Sequence, residues 1–193
     1  MKWKKNGYLL FGSVFLGLFA LSQSQSAKGL VVRFSENWQK FDALFKKYGA
    51  MYNVPFEWLK AIALNESSLG LAPSVARGLM SPRDVQASIS SDGKSWGLMQ
   101  VTLTTAKSLD PMATPEKLNN ADYSIGLAAL YIGTKILPMF SQNDPRFLEW
   151  VIKSYNQGPG NTLKEKSGVI KKGYADEYFV RFVRNLNRVM GDI

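Results

Sequence analysis

The sequence predicts a mostly α-helical domain preceded by an N-terminal apolar segment. Three observations carry that expectation. Apolar and aromatic residues recur at three- and four-residue spacing through most of the chain, Pro and Gly separate those runs, and one stretch alone, residues 69–95, reads as irregular. The first helix follows from Phe34, Trp38, Phe41, Phe45 and Tyr48, with Ser35 as N-cap. A second, residues 55–66, carries Val54, Trp58, Leu59, Ile62 and Ala63 on one stripe, with Pro55 at an early helical position. It ends at Glu66. Pro73, Pro82, several Ser residues and Asp92-Gly93 mark the irregular stretch, and the last pair favours a tight hairpin turn. A short helix is expected over 104–109 and a long apolar one, capped by Asn120, over 121–137. Asp144-Pro145 starts another, with Phe147, Leu148, Val151 and Ile152, which ends near Tyr155 and is broken by Gly158-Pro159-Gly160. The last helix, 175–190, places Tyr178, Phe179, Phe182, Val183 and Leu186 at core spacing.

Composition narrows the chemistry. The chain has no His and no Cys. Ser-His-Asp and Cys-His nucleophile systems are therefore excluded, as is zinc held by His or Cys. Proton transfer falls to Asp, Glu, Lys or Tyr, and carboxylate-driven glycoside chemistry satisfies that restriction with no metal and no cofactor. The net charge of +9 points to an anionic partner. Lys164, Lys166, Lys171, Lys172, Arg181, Arg184 and Arg188 concentrate charge near the C-terminus. With no nucleic-acid motif around them, they read first as a solvated helical face and second as help in holding an acidic wall polymer.

Three short segments point to one activity: Asn65-Glu66-Ser67-Ser68, Ser95-Trp96-Gly97-Leu98-Met99-Gln100-Val101, and Ser154-Tyr155-Asn156-Gln157-Gly158. In that order they resemble the catalytic signature of the soluble-lytic-transglycosylase-like domain, a branch of the lysozyme superfamily. The resemblance covers residues 54–183 and implies a lysozyme-like helical fold, with a long loop or small hairpin after the catalytic helix. It implies that Glu66 cuts peptidoglycan glycan strands. Ser67 would hydrogen-bond near Glu66 or the substrate, and Gly97 would let backbone approach a sugar. Met99 would line the apolar side of the cleft and Gln100 would offer an amide. Tyr155 would position the acetamido group or Glu66, and Asn156 would hold the nearby loop. Tyr178 would face the catalytic Glu from the final helix. Taken alone, Met99 and Tyr178 read as core residues. The chain departs from the family pattern in its longer stretch between Glu66 and Gly97, and in having Tyr174 where the family often has Glu.

Glu66 stands at the C-terminal end of a buried helix, where dipole and burial both disfavour its ionised form. A Glu with pKa raised to about 6–7 can protonate a leaving glycosidic oxygen near neutral pH. The resemblance implies that the same Glu then acts as base on the C6 hydroxyl of N-acetylmuramic acid, giving a 1,6-anhydro product with help from the acetamido group. The alternatives are a muramidase using water and a second carboxylate, with Asp84 and Asp92 as candidates, and a non-catalytic glycan-binding assembly component.

The expected organisation is residues 1–26 as signal or anchor, 27–53 as linker and first helix, and 54–193 as catalytic domain. Lys2, Lys4 and Lys5 precede an apolar run at 8–21 and the polar stretch 22–26. Ser22-Gln23-Ser24 and Ser24-Gln25-Ser26 are passable cleavage sites. The two readings are a cleaved signal, giving a secreted or periplasmic protein, and a retained anchor extended by Leu30, Val31 and Val32, with a slight preference for retention. Basic residues before the run place the domain outside the cytoplasm, facing the periplasm or cell wall. The expected settings are a secretion apparatus or a phage virion.

Overall fold

The computed structural model describes residues 37–83, 89–90, 93–170 and 175–191. The apolar run at 8–21, Phe34, Ser35, Asp84, Asp92, Lys171, Lys172 and Tyr174 lie outside the described residues. The chain divides into two compact units, and all three signature segments fall in the second, residues 40–193.

That unit is helical around a short hairpin. Helices α1 (Asp42–Tyr52), α2 (Phe56–Ser67) and α3 (Pro73–Met80) precede strands β1 (Ser95–Trp96) and β2 (Val101–Thr102). Then come α4 (Leu103–Leu109), α5 (Pro115–Asn119), α6 (Ala121–Tyr131), α7 (Phe147–Gln157), α8 (Pro159–Lys166) and α9 (Asp176–Gly191). The expected mostly helical architecture is present, and α1 packs into the same unit as the catalytic helix, against α2 and α6.

Four boundaries differ from the sequence reading. The first helix, expected from a cap at Ser35, runs regularly only from Asp42, with Phe41 at its N-cap position and no side-chain cap bond. The stretch expected to be irregular contains α3, because Pro73 sits at the first helical position, where it needs no donor, instead of breaking a helix. The long helix expected to reach residue 137 winds regularly only to Tyr131. A π turn (Ile132–Ile136) and a 3-10 turn (Leu137–Met139) follow. Pro138 has no N–H and its ring would meet the Thr134 carbonyl, so the regular ladder cannot continue through it. Gly158, at φ +83°, breaks the chain for one residue only, and Pro159 starts α8 at once. The side-chain cap expected at Asn120 forms: its Oδ1 accepts from Tyr123 N at 3.2 Å.

Helix α2 runs through the centre. Every residue from Leu59 to Leu64 is buried, so it lacks the polar face of a surface helix. The charged residue within that buried run, Lys60, pairs with Asp42 of α1 at 2.9 Å. The packing of α2 is most extensive against α9. Phe45, Leu59, Ile62, Ile125, Ile152 and Phe182 have no exposed surface and fill the space between these helices.

A second buried lysine fixes where α9 begins. Lys153 of α7 meets Glu149 at 3.0 Å, Glu165 of α8 at 2.5 Å, and Asp176 in the first turn of α9. Burial pulls the Lys153 pKa down, but the three carboxylates more than reverse it and the net shift is upward. Arg146 and then Lys153 hold Glu149 below the usual carboxylate range. Replacing Lys153 with Met strands these acids, so we expect a loss of ~3–5 kcal/mol at pH 7, read by urea unfolding. Glu149, held below its ordinary 4.5, stabilises above that value and loses the effect as pH falls below it. The gap between variant and wild type therefore narrows only as pH drops below about 4.5.

Candidate active site

Glu66 occupies the last turn of α2, and the chain leaves that helix through consecutive left-handed residues, Ser68 (φ 52°), Leu69 (φ 55°) and Gly70 (φ 82°). For non-Gly residues this conformation costs ~1 kcal/mol or more each, so it persists only where surrounding bonds impose it. Ser67 supplies them. Its hydroxyl donates to Leu98 O at 2.8 Å and accepts from Gly70 N at 3.1 Å. The residue beside the acid thus ties the end of α2 to the second signature segment.

That segment is the turn of the β1–β2 hairpin. Trp96 pairs with Val101, enclosing Gly97 to Gln100. Gly97 has φ +74°, and a Cβ there would lie 1.8 Å from Leu118 O. The glycine is needed for the approach of another backbone segment, not of a sugar, which corrects the role expected for it. Gln100, also left-handed at φ 49°, donates from Nε2 to Gly97 O at 2.8 Å. Met99 is fully buried, and Ser124 Oγ accepts its N–H at 3.2 Å. It supports the cleft from behind. The expectation that its side chain lines the cleft is corrected, because no surface of Met99 reaches it. Ser67, almost wholly buried, makes its hydrogen bonds beside Glu66, the first of the two places expected for them, as a tie between backbones.

The third segment comes from the end of α7. Tyr155 donates its hydroxyl to Met99 O at 2.8 Å, joining α7 to the hairpin turn. Its ring meets Tyr131 of α6 at 6.3 Å. Burial first, then the Glu66 charge, holds the Tyr155 hydroxyl protonated far above neutral pH. Asn156 is exposed on the cleft edge, and its side chain makes no hydrogen bond among the described residues. The loop it was expected to hold is instead held by Gln157, which reaches Thr162 and Glu165 and accepts from Ala175 N.

Tyr178 of α9 is buried, and its hydroxyl donates to Glu66 Oε1 at 2.7 Å. The hydroxyl thus faces Glu66 from the final helix. Oε2 of Glu66 has no hydrogen-bond partner among the described residues. Burial raises the Glu66 pKa to about 7, against the opposing pull of the Tyr178 hydroxyl and the Arg181 guanidinium.

These elements enclose a cleft of about 310 Å³. Glu66, Gln100, Tyr155 and Asn156 line it, with Ser95, Thr102, Thr105, Tyr131, Gln157 and Gly158. Among the described residues, Glu66 is the one carboxylate in that lining. Sequence reasoning missed Tyr131, which looks like any other aromatic of an apolar helix. It also missed Gln157, whose place beside Tyr155 and Asn156 was a usable signal.

The acid at the end of a buried helix, the glycine-led turn against it and the Tyr-Asn segment form one constellation. Residues 43–177 match the family model described as the transglycosylase SLT domain. The chain belongs to the SLT transglycosylase domain family. An SLT domain implies cleavage of peptidoglycan by lytic-transglycosylase-type activity, with peptidoglycan as the bound substrate. No curated protein matches the chain. The SLT match spans all three signature segments and stops one residue short of Tyr178.

The raised pKa has a consequence for stability. From the ordinary 4.5 up to about 7, the native protein keeps the Glu66 proton while the unfolded chain has lost it. Stability therefore falls as pH climbs through that window. Glu66→Gln removes the ionisation. We expect it to melt a few degrees above wild type at pH 8, equivalent to about 1–3 kcal/mol, with the difference gone at pH 4. Thermal unfolding at the two pH values checks this.

Proposed function

We propose that this SLT domain is a lytic transglycosylase cutting the MurNAc-GlcNAc β-1,4 bond with formation of 1,6-anhydro-MurNAc. The observation that carries the proposal is Glu66, its pKa raised by burial to about 7, in a cleft whose described lining offers no second carboxylate. Glu66 Oε2 gives its proton to the glycosidic oxygen as the C1–O bond breaks, and the GlcNAc leaves with that proton. The carboxylate then takes the proton of the C6 hydroxyl as O6 bonds to C1. Glu66 ends protonated and no water is consumed. An attached hydroxyl has a large proximity advantage over solvent, so one carboxylate suffices. Asn156 and Gln100 supply amides on the cleft wall for the acetamido groups.

The same proposal places the domain outside the cytoplasm. Lys2, Lys4 and Lys5 ahead of the apolar run support that orientation. Among the described residues, no helix is long and apolar enough to cross a membrane. An enzyme held by its N-terminal segment suits localised wall opening, in a secretion apparatus or in a virion that crosses peptidoglycan.

Two outcomes test the chemistry. Folded Glu66→Gln should lose at least about 10²-fold of wall-degrading activity, because it keeps the shape and lacks the proton. Mass spectrometry of digested wall should show muropeptides lighter by one water. Reducing ends instead would assign hydrolysis, and near-wild-type activity in Glu66→Gln would remove Glu66 from the reaction.

A further inference from the structure

Tyr178 is gripped at both ends by adjacent residues of α2. Glu66 accepts its hydroxyl at 2.7 Å, and Asn65 Nδ2 donates to its backbone carbonyl at 3.0 Å. Asn65 is held in turn by Asn185, whose Nδ2 donates to Asn65 Oδ1 at 2.6 Å. Asn185 lies two helical turns after Tyr178 on the buried face of α9, between Phe182 and Val189. A polar residue on that face needs a reason. An amide pair is tolerated there only while both partners meet, and a shift of α9 along α2 by even one residue would leave the amides unpaired among apolar neighbours. The apolar contacts alone would set register less sharply.

We propose that Asn65 and Asn185 are positioning residues that fix the register of α9 on α2, so that the Tyr178 hydroxyl occupies Glu66 Oε1 and the exchangeable proton resides on Oε2. This inference deepens the proposed function and rests on Glu66 as the acid. The groups that face Glu66 among the described residues are Tyr178 and Arg181 of α9 and Tyr155 of α7, with Tyr131 of α6 behind Tyr155. Arg181 lies on the same helix, its guanidinium 5.9 Å from the Tyr178 ring, so a change of register moves both groups that favour the ionised acid. Releasing Tyr178 withdraws a bond that stabilises the carboxylate. The Glu66 midpoint then rises, and the alkaline limb of activity, where Glu66 loses its proton, moves to higher pH.

The experiment uses the full chain with 13Cζ-labelled tyrosine, the Tyr178 signal being assigned by its loss in Tyr178→Phe. In wild type this signal should titrate with Glu66. In Asn185→Leu, matched in shape and unable to donate, we expect a weaker response, with its midpoint raised by roughly half a pH unit or more. On peptidoglycan, kcat should fall about tenfold with KM within about twofold, and the alkaline limb should move up. Added to Tyr178→Phe, the Asn185 change should move the limb clearly less than it does in wild type, by the part that Arg181 alone carries. Asn185→Thr provides a second variant should the Leu protein not fold, with the same expectations. A folded Asn185 variant whose Tyr178 titration is that of wild type overturns the proposal, as does full additivity with Tyr178→Phe. The NMR readout needs no turnover, so it stands apart from a failure of the transglycosylase reading, which the product assay registers.

Discussion

The hydrogen bond from Tyr178 to Glu66 joins the two helices on which the site depends. Glu66 ends the most buried helix of the domain, and Tyr178 lies in the first turns of the helix packed most extensively against it. An acid in that position tends to stay protonated, because its charge would face both an apolar surrounding and the negative end of its own helix. The tyrosine moderates the effect. It lets the carboxylate exist as well as the acid, which is what a group that must first give and then take a proton requires.

Holding such a group has structural costs, and they are met locally. Ser68, Leu69 and Gln100 adopt left-handed backbone conformations next to the acid. The bonds that impose them run between the signature segments, Ser67 to Leu98 and Tyr155 to Met99, and within the second, Gln100 to Gly97. Much of the signature is therefore scaffolding. Only part of it, Glu66, Ser95, Gln100, Val101 and residues 155–158, reaches the cleft. Farther out, Lys153 pins the start of α9 to α7 and α8, so the helix that carries Tyr178 is anchored at its first turn as well as along its buried face.

The helical architecture was legible because the apolar spacing is strong in α1, α2, α7 and α9. Boundaries were less so. Pro73 and Pro159 start helices where a reading by breakers ended them, since proline is tolerated at a first helical position and disruptive only inside. Pro138, inside, did disrupt. At the site, Glu66 was legible from the signature, and Tyr178 only from the family resemblance of the final helix. The roles of Gly97 and Met99 were not, because whether a residue meets a sugar or a neighbouring backbone depends on contacts distant in sequence, such as Gly97 against Leu118. Asn65 and Asn185 were hidden for the same reason: 120 positions separate them, and nothing local marks either as half of a pair.

The chemistry of the cleft turns on Glu66 being an acid poised near neutrality. Its titration can be followed directly by 13C NMR of the side-chain carboxyl in wild-type protein, with the signal assigned by its absence in Glu66→Gln. The structure predicts a midpoint of about 7. A midpoint at the ordinary glutamate value, near 4.5, would contradict the account, because Glu66 would then hold no proton to give at neutral pH.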